Sequence, residues 1–251
     1  QTADGDPTRD VVSELGKIVR RLRRRWPRAR ILVRGDSGFA REELMAWCEA
    51  AGHFYVLGLA RNPRLEREVA DALEHARRLH EKSGRPERIY RDLDWTTLGS
   101  WSRERRVIAK AEHLRGGKSN PRFVVTNLSR RSWSPRRLYE QLYCARGEAE
   151  NRIKEQQLDL FGDRLSTQTM QGNRVRMAMS AMAYVLNCAL RRIGLAGTEM
   201  ARAQANTIRL RLLRIGALVR ITTRKIWVSM SASWPWQALF ETCAARLLAP
   251  G

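Results

Sequence analysis

Residues 31–39 read ILVRGDSGF: three apolar residues between Arg30 and Arg34, then an acid flanked by Gly35 and Gly38. A short apolar run bounded by charge suits a buried central strand of an α/β sheet. The glycines leave the backbone free to turn, so Asp36 stands at the strand's C-terminal end. Downstream, Glu42 to Ala51 reads as a helix closed by Gly52, and residues 54–60 (FYVLGLA) form a second apolar strand. Asn62-Pro63 caps a further helix running to about Glu81. Upstream, Val11, Val12, Leu15, Ile18, Val19, Leu22 and Trp26 recur at helical spacing, from a start at Asp6-Pro7 to a stop at Pro27. The alternation helix, strand, helix, strand, helix is that of an α/β layer.

The pattern then changes. Arg88 to Thr97, Arg106 to His113 and Arg122 to Leu128 are strand-like runs joined by GSWSRE (99–104) and RGGKSN (115–120). Short turns favour an antiparallel meander, although Arg91 falls in phase with Ile89, Leu93 and Trp95. Ser134-Pro135 starts a helix running to about Leu160. A polar connection (162–173) leads to helices over Arg174 to Ile193 and Thr198 to Leu213. A hairpin follows, Leu218 to Ile221 with Lys225 to Val228 around 222–224, and Trp234-Pro235-Trp236 opens the last helix.

Charge points to the partner. The chain has 251 residues with 47 Lys and Arg against 26 Asp and Glu, a formal net charge of +21. A polyanion, nucleic acid before a membrane surface or a ribosome-like assembly, accounts for tolerating that self-repulsion. No window reaches the roughly 18 uninterrupted apolar residues of a membrane span. The nearest, Met177 to Leu190, contains Ser180 and Asn187 between arginine flanks and reads as a buried helix. The polar, acidic start QTADGDPTRD is not a signal peptide. Cys48, Cys144, Cys188 and Cys243 are scattered, as reduced thiols of the cytosol would be, and neither they nor the four histidines show metal-site spacing. The arginines crowding the first helix, Arg20, Arg21, Arg23, Arg24 and Arg25, suit either phosphate binding or a helix C-terminus.

The helix after Ser134 carries a second acid of interest. At about 100° per residue, Tyr143, Arg146, Glu150, Lys154 and Gln157 share one stripe. Leu138, Leu142, Ala149 and Ile153 cluster on the adjacent, core-facing side, while Glu148 and Glu155 face away. Glu150 is therefore the acid that lies beside the core among Arg, Lys and Tyr. A Glu150–Lys154 pair at i, i+4 explains this as local helix chemistry, worth only tenths of a kcal/mol. Phosphodiester cleavage by two metal ions explains it as well. That chemistry needs carboxylates from separate elements, with cations and hydroxyls to position phosphates.

Tyr143-x2-Arg146-x3-Glu150-x6-Gln157 resembles the Tyr-Arg-Glu-Lys signature of bacterial insertion-sequence DDE transposases. ILVRGDSGF followed by YVLGLARNP (55–63) looks like the second-Asp strand and next strand of one branch of that group. The run ENRIKE (150–155) and the closing SWPWQALF (233–240) are similar to it too. The resemblance covers essentially the whole chain. It implies an α/β fold: a partial RNase H-like domain with an antiparallel β insertion and a mainly helical C-terminal region. The expected parts are a core with the second-Asp strand (1–62), a helix plus β-rich insertion (63–133), the catalytic-Glu helix (134–165) and the helical region with its hairpin (166–251).

The same resemblance implies Mg²⁺ (or Mn²⁺) held by Asp36 and Glu150. It implies hydrolysis at the element's ends followed by joining to target DNA, with Tyr143 and Arg146 on the transferred strand's phosphates. Gln157 stands where the signature has Lys, and Lys154, one turn from Glu150, is the substitute cation. The expected partner is DNA, as transposon ends and target, with a dimer on DNA left open, no membrane, and a cytoplasmic, nucleoid-associated location. The family's first Asp lies on an earlier strand. Asp4, Asp6 and Asp10 precede any strand and read as helix-start residues, so the expectation is a chain short of one acid and inactive alone. A DNA-binding remnant without chemistry and an RNase H-like nuclease are the competing readings.

Overall fold

The computed structural model describes residues 10–114 and 118–249. Asp4, the helix start at Asp6-Pro7 and Arg115 to Gly117 of the meander's second connection lie outside the described residues. The chain forms two compact units, 1–147 and 148–251.

The first unit is built on one mixed sheet. Its strands are β1 (Leu32–Gly35), β2 (Phe54–Leu59), β3 (Glu87–Trp95), β4 (Arg105–His113) and β5 (Arg122–Thr126). They lie in the order β1-β2-β5-β4-β3, with only the β1–β2 pair parallel. The α/β class is that expected, and the three meander strands extend the same sheet as β1 and β2. Alternation along the strands fills both faces. Tyr55, Leu57, Val107, Ala109 and Val125 pack with Leu44, Met45 and Cys48 of α2 (Glu42–Ala50), Leu65 of α3 (Pro63–Glu68) and Ala72 of α4 (Ala70–Ser83). Val11, Val12 and Leu15 of α1 (Val11–Arg25) join the same cluster. On the opposite face, Val56, Ile108 and Val124 meet Leu138 and Tyr139 from the helical run after Ser134.

Two expectations change here. β1 is an edge strand rather than a central one, and Leu32 keeps 37% of its surface exposed. The helix expected from Asn62 to about Glu81 breaks at Val69 into α3 and α4. Asn62 does cap it, its side-chain oxygen accepting from the N–H groups of Arg64 (3.1 Å) and Leu65 (3.0 Å). Arg91, the charged residue in phase with the apolar ones of its strand, reaches Asp71 of α4 at 3.3 Å, so a charged partner occupies that face.

In the second unit, α7 (Met170–Arg192) opens on Thr169, whose hydroxyl accepts from Gly172 N–H at 3.1 Å. Leu195, Met200, Ile208, Leu212 and Cys243 form its core, against Trp236 and against Leu239 and Phe240 of α9 (Gln237–Leu248). The helix expected from Thr198 begins only at Ala205. It runs as α8 (Ala205–Ile208) into a π-helical turn, Arg209–Leu213. Its start is set by acids from elsewhere in the unit. Glu155 accepts from Ala205 N–H at 2.6 Å and Asp159 from Asn206 N–H at 3.0 Å, satisfying donors that a helix start leaves open. The hairpin forms as β6 (Ala217–Ile221) and β7 (Ile226–Met230), exposed throughout. Among the described residues, no helix is long and apolar enough to cross a membrane. All four cysteines are free.

The signature helix is helical from 135 to 159 but is not uniformly α. It runs as α5 (Pro135–Arg137), a π-helical stretch Leu138–Tyr143, a 3₁₀ turn Cys144–Arg146, α6 (Gly147–Lys154) and a π-helical turn Glu155–Asp159. A projection at constant pitch loses register across such changes. Ile153, expected on the core side, is 54% exposed, and Ala149 is exposed too. Glu155, expected to face away, is buried at 6% exposure.

Candidate active site

Asp36 follows β1 in extended backbone and caps a single 3₁₀ turn, Ser37–Phe39. Its Oδ1 accepts from Gly38 N–H at 3.0 Å, and among the described residues nothing donates to Oδ2. The carboxylate is exposed. Gly35, just before it, is buried and leaves little room for a side chain. A Cβ would lie 3.0 Å from Phe39 and 3.1 Å from Leu57.

Tyr143 is brought to the same spot by a feature that sequence reading missed. Gly58 of β2 lacks a Cβ, and the Tyr143 hydroxyl occupies that space. A Cβ at Gly58 would lie 2.7 Å from the hydroxyl oxygen, 3.0 Å from Ser37 N and 3.2 Å from the Asp36 carbonyl carbon. Three elements thus close on one point: the end of β1, the middle of β2 and the helix after Ser134. The signal was present, because glycine inside an otherwise apolar strand marks close backbone approach. Arg34 helps hold the helix there, donating to the Leu142 carbonyl at 3.1 Å. Burial raises the Tyr143 phenol above its usual range. Arg146 opposes the shift and the Asp36 anion adds to it, so the group stays a protonated donor. Its hydroxyl makes no hydrogen bond to a described residue. The Arg146 guanidinium lies 5.8 Å from the Tyr143 ring centroid, within cation–π range.

The close approach gives a stability prediction. Gly58→Ala is expected to cost about 1–3 kcal/mol by overpacking. Adding Tyr143→Phe, which removes the nearest atom, should recover part of that in urea denaturation of the two variants. No recovery means the hydroxyl is not what constrains the glycine.

In the second unit, Glu150 and Lys154 lie on α6 and Gln157 on the π-helical turn after it, all exposed. Lys154 makes no ion pair among the described residues, so the i, i+4 pair with Glu150 is not formed. Glu155, by contrast, is buried. Its carboxylate accepts from the buried Arg191, from Ala205 N–H and from Arg152 at 3.3 Å. Among the described residues no three His, Cys, Asp or Glu side chains converge as a metal cluster.

Asp36 and Glu150 are both exposed hard-oxygen donors, the ligand type that Mg²⁺ takes. Tyr143, Arg146 and Lys154 are the donor types that hold phosphate oxygens. A family model described as Transposase DDE domain group 1 matches residues 2–250. No curated protein matches the chain.

Proposed function

The chain belongs to the DDE-domain transposase family, and on that premise we propose that it cleaves and joins DNA at the ends of an insertion element, through a divalent-metal site to which Asp36 and Glu150 each contribute a carboxylate. The observation that carries the reading is the Tyr143 hydroxyl seated on Gly58 beside the Asp36–Ser37 peptide. It puts a protonated donor, without a hydrogen bond among the described residues, beside the backbone of a residue whose carboxylate is exposed, and both groups suit a metal-bound phosphodiester.

The roles follow from chemistry. Asp36 and Glu150 hold Mg²⁺ or Mn²⁺ through oxygen atoms that hard divalent cations prefer. When bound there, the metal supplies Lewis-acid stabilisation of the charge that builds on the phosphoryl oxygens. Tyr143 donates its hydroxyl proton in a hydrogen bond to a phosphate oxygen, which its raised pKa allows near neutrality. Arg146, stacked on Tyr143, and Lys154 add cationic charge along the bound strand, and the Gln157 amide donates where the signature has an amine. The surrounding fold is taken as RNase H-like, with β1 as the second-Asp strand. β1 is an edge of the sheet, where one more strand bearing the third acid can pair. The partners are transposon ends and target DNA, and a dimer on DNA remains an open expectation.

The test is metal-dependent nicking of inverted-repeat ends by the complete reading frame that encodes this chain, compared with its Asp36→Ala form. The expected result is cleavage that needs Mg²⁺ or Mn²⁺ and is lost in the variant. Full cleavage by Asp36→Ala would remove the residue from the site. Salt-sensitive duplex binding without cleavage under either metal would favour the non-catalytic DNA-binding reading, and cleavage without joining or end preference the nuclease.

A further inference from the structure

The arginines of α1 divide into two kinds. Arg23 donates to the Pro27 carbonyl at 2.6 Å, so it serves the end of its own helix. Arg20, Arg21, Arg24 and Arg25 are exposed and make no ion pair or hydrogen bond among the described residues. Lys17, one turn earlier, pairs with Glu14 at 2.6 Å, both side chains being more than half exposed. At about 100° per residue, Lys17, Arg20, Arg21 and Arg24 occupy roughly a third of the circumference, opposite Val12, Leu15, Val19 and Leu22. Val12 and Leu15 pack on the sheet's core cluster. The apolar face therefore fixes α1 on the first unit and turns the cationic face outward.

Three guanidiniums on one helix face, with no ion pair among the described residues, repel one another, whereas several other arginines of the unit are held in ion pairs. Arg77 and Arg78 of α4 share Glu74, and Arg130 holds Asp92 and Asp94. We propose that the outer face of α1 is a docking surface for the phosphate backbone of duplex DNA, with Arg20, Arg21 and Arg24 binding its phosphates. The inference rests on the DNA-acting reading above and adds the surface that holds the duplex away from the reacting bond. A duplex carries one negative charge per about 1.7 Å of axis, and the stripe from Lys17 to Arg24 runs about 10 Å. That length meets several phosphates without reading sequence. The stripe carries no aromatic residue, which a platform for unpaired bases would need.

The experiment measures affinity for a labelled random-sequence duplex across a KCl series. It compares the unsubstituted chain with the triple variant Arg20→Gln, Arg21→Gln, Arg24→Gln. A second triple, Arg214→Gln, Arg220→Gln, Arg224→Gln, removes the same charge from exposed arginines that have no ion pair among the described residues. The α1 triple is expected to lower the slope of log K against log salt by about 2 to 3, at about 0.9 for each phosphate no longer neutralised. The second triple should leave most of the slope, and lysine at all three α1 positions should keep it. Unchanged helical circular dichroism and melting in the α1 glutamine triple separates weakened phosphate binding from impaired folding. Equal losses in both glutamine triples, or an α1 triple that binds as before, overturn the proposal and leave the transposase reading intact. Binding by the unsubstituted chain that ignores salt overturns both.

Discussion

Arg105→Ala is expected to destabilise the first unit by about 3–5 kcal/mol, the usual cost of removing one partner from a buried ion pair. The Arg105 side chain is 2% exposed at the start of β4, and it spans two acids of α2: Glu42 at 2.6 Å and Glu49 at 2.9 Å. Glu49 also accepts the Tyr55 hydroxyl at 2.7 Å and is met by Arg103 at 2.6 Å. Glu42 also accepts from the Ser102 hydroxyl at 2.6 Å. Without Arg105, two carboxylates on one helix face a space built for a cation. The size of the loss therefore comes from charges left uncompensated more than from the attraction removed.

A control separates the two effects. Arg105→Met combined with Glu49→Gln should lose less than Arg105→Ala alone, because neutralising an acid removes part of the orphaned charge. Urea denaturation followed by circular dichroism checks both, and an Arg105→Ala loss under about 1 kcal/mol contradicts the network's role. The network also sets an acid limit. The Arg105 hydrogen bonds hold Glu42 down at about 2, and Glu49 is lowered as well, where Arg105, Tyr55 and Arg103 outweigh the opposing effect of burial. A carboxyl whose folded pKa is depressed contributes stability that is complete above its unfolded value and lost as pH falls through the folded one. Stability should hold above pH about 4.5 and decline from there towards 2. In the Arg105→Ala form the share of that decline due to Glu42 and Glu49 should shrink, while Glu112, held down by Lys110 and Arg88 against burial, keeps its own.

The α/β pattern is legible in the sequence because it rests on local signals. Apolar runs at 54–59, glycine at 52 and Asn62-Pro63 each report a boundary that needs no distant partner. What is not legible depends on neighbours. Whether β1 is central or at an edge is a property of the sheet order, and ILV reads the same in both. The break at Val69 and the late start at Ala205 are set by packing and by carboxylates reaching from other elements. The candidate site divides in the same way. Position and signature find Asp36 and Tyr143, while the glycine within the apolar run 54–59 signals a close approach without telling that Tyr143 makes it. A projection that weighs the helix against the sheet's core alone misplaces Glu155. Its own core lies in the second unit, where Arg191 is its partner.

Glu155 and Glu150, two acids five residues apart, should therefore respond to substitution in opposite ways. Glu155→Ala is expected to cost about 3–5 kcal/mol and to loosen the second unit, since Arg191 would be left buried without its anion. Arg191 is 8% exposed and its other neighbour is the Asn187 oxygen at 3.5 Å, a poor substitute for a carboxylate. The same substitution strips the acceptor from Ala205 N–H and with it the start of α8. Glu150→Ala should do the reverse. The residue is exposed, so stability should move by less than about 1 kcal/mol. Metal-dependent cleavage by the complete reading frame should be lost, because a metal-bound phosphodiester needs its second carboxylate. Limited proteolysis and melting measured beside cleavage resolve the pair. Glu155→Ala should fail in the first two, and in the third only as a consequence. Glu150→Ala should fail in cleavage alone. If Glu150→Ala melts like the parent and still cleaves, the metal is held by other groups, and the stripe shared with Tyr143 and Lys154 has no catalytic meaning.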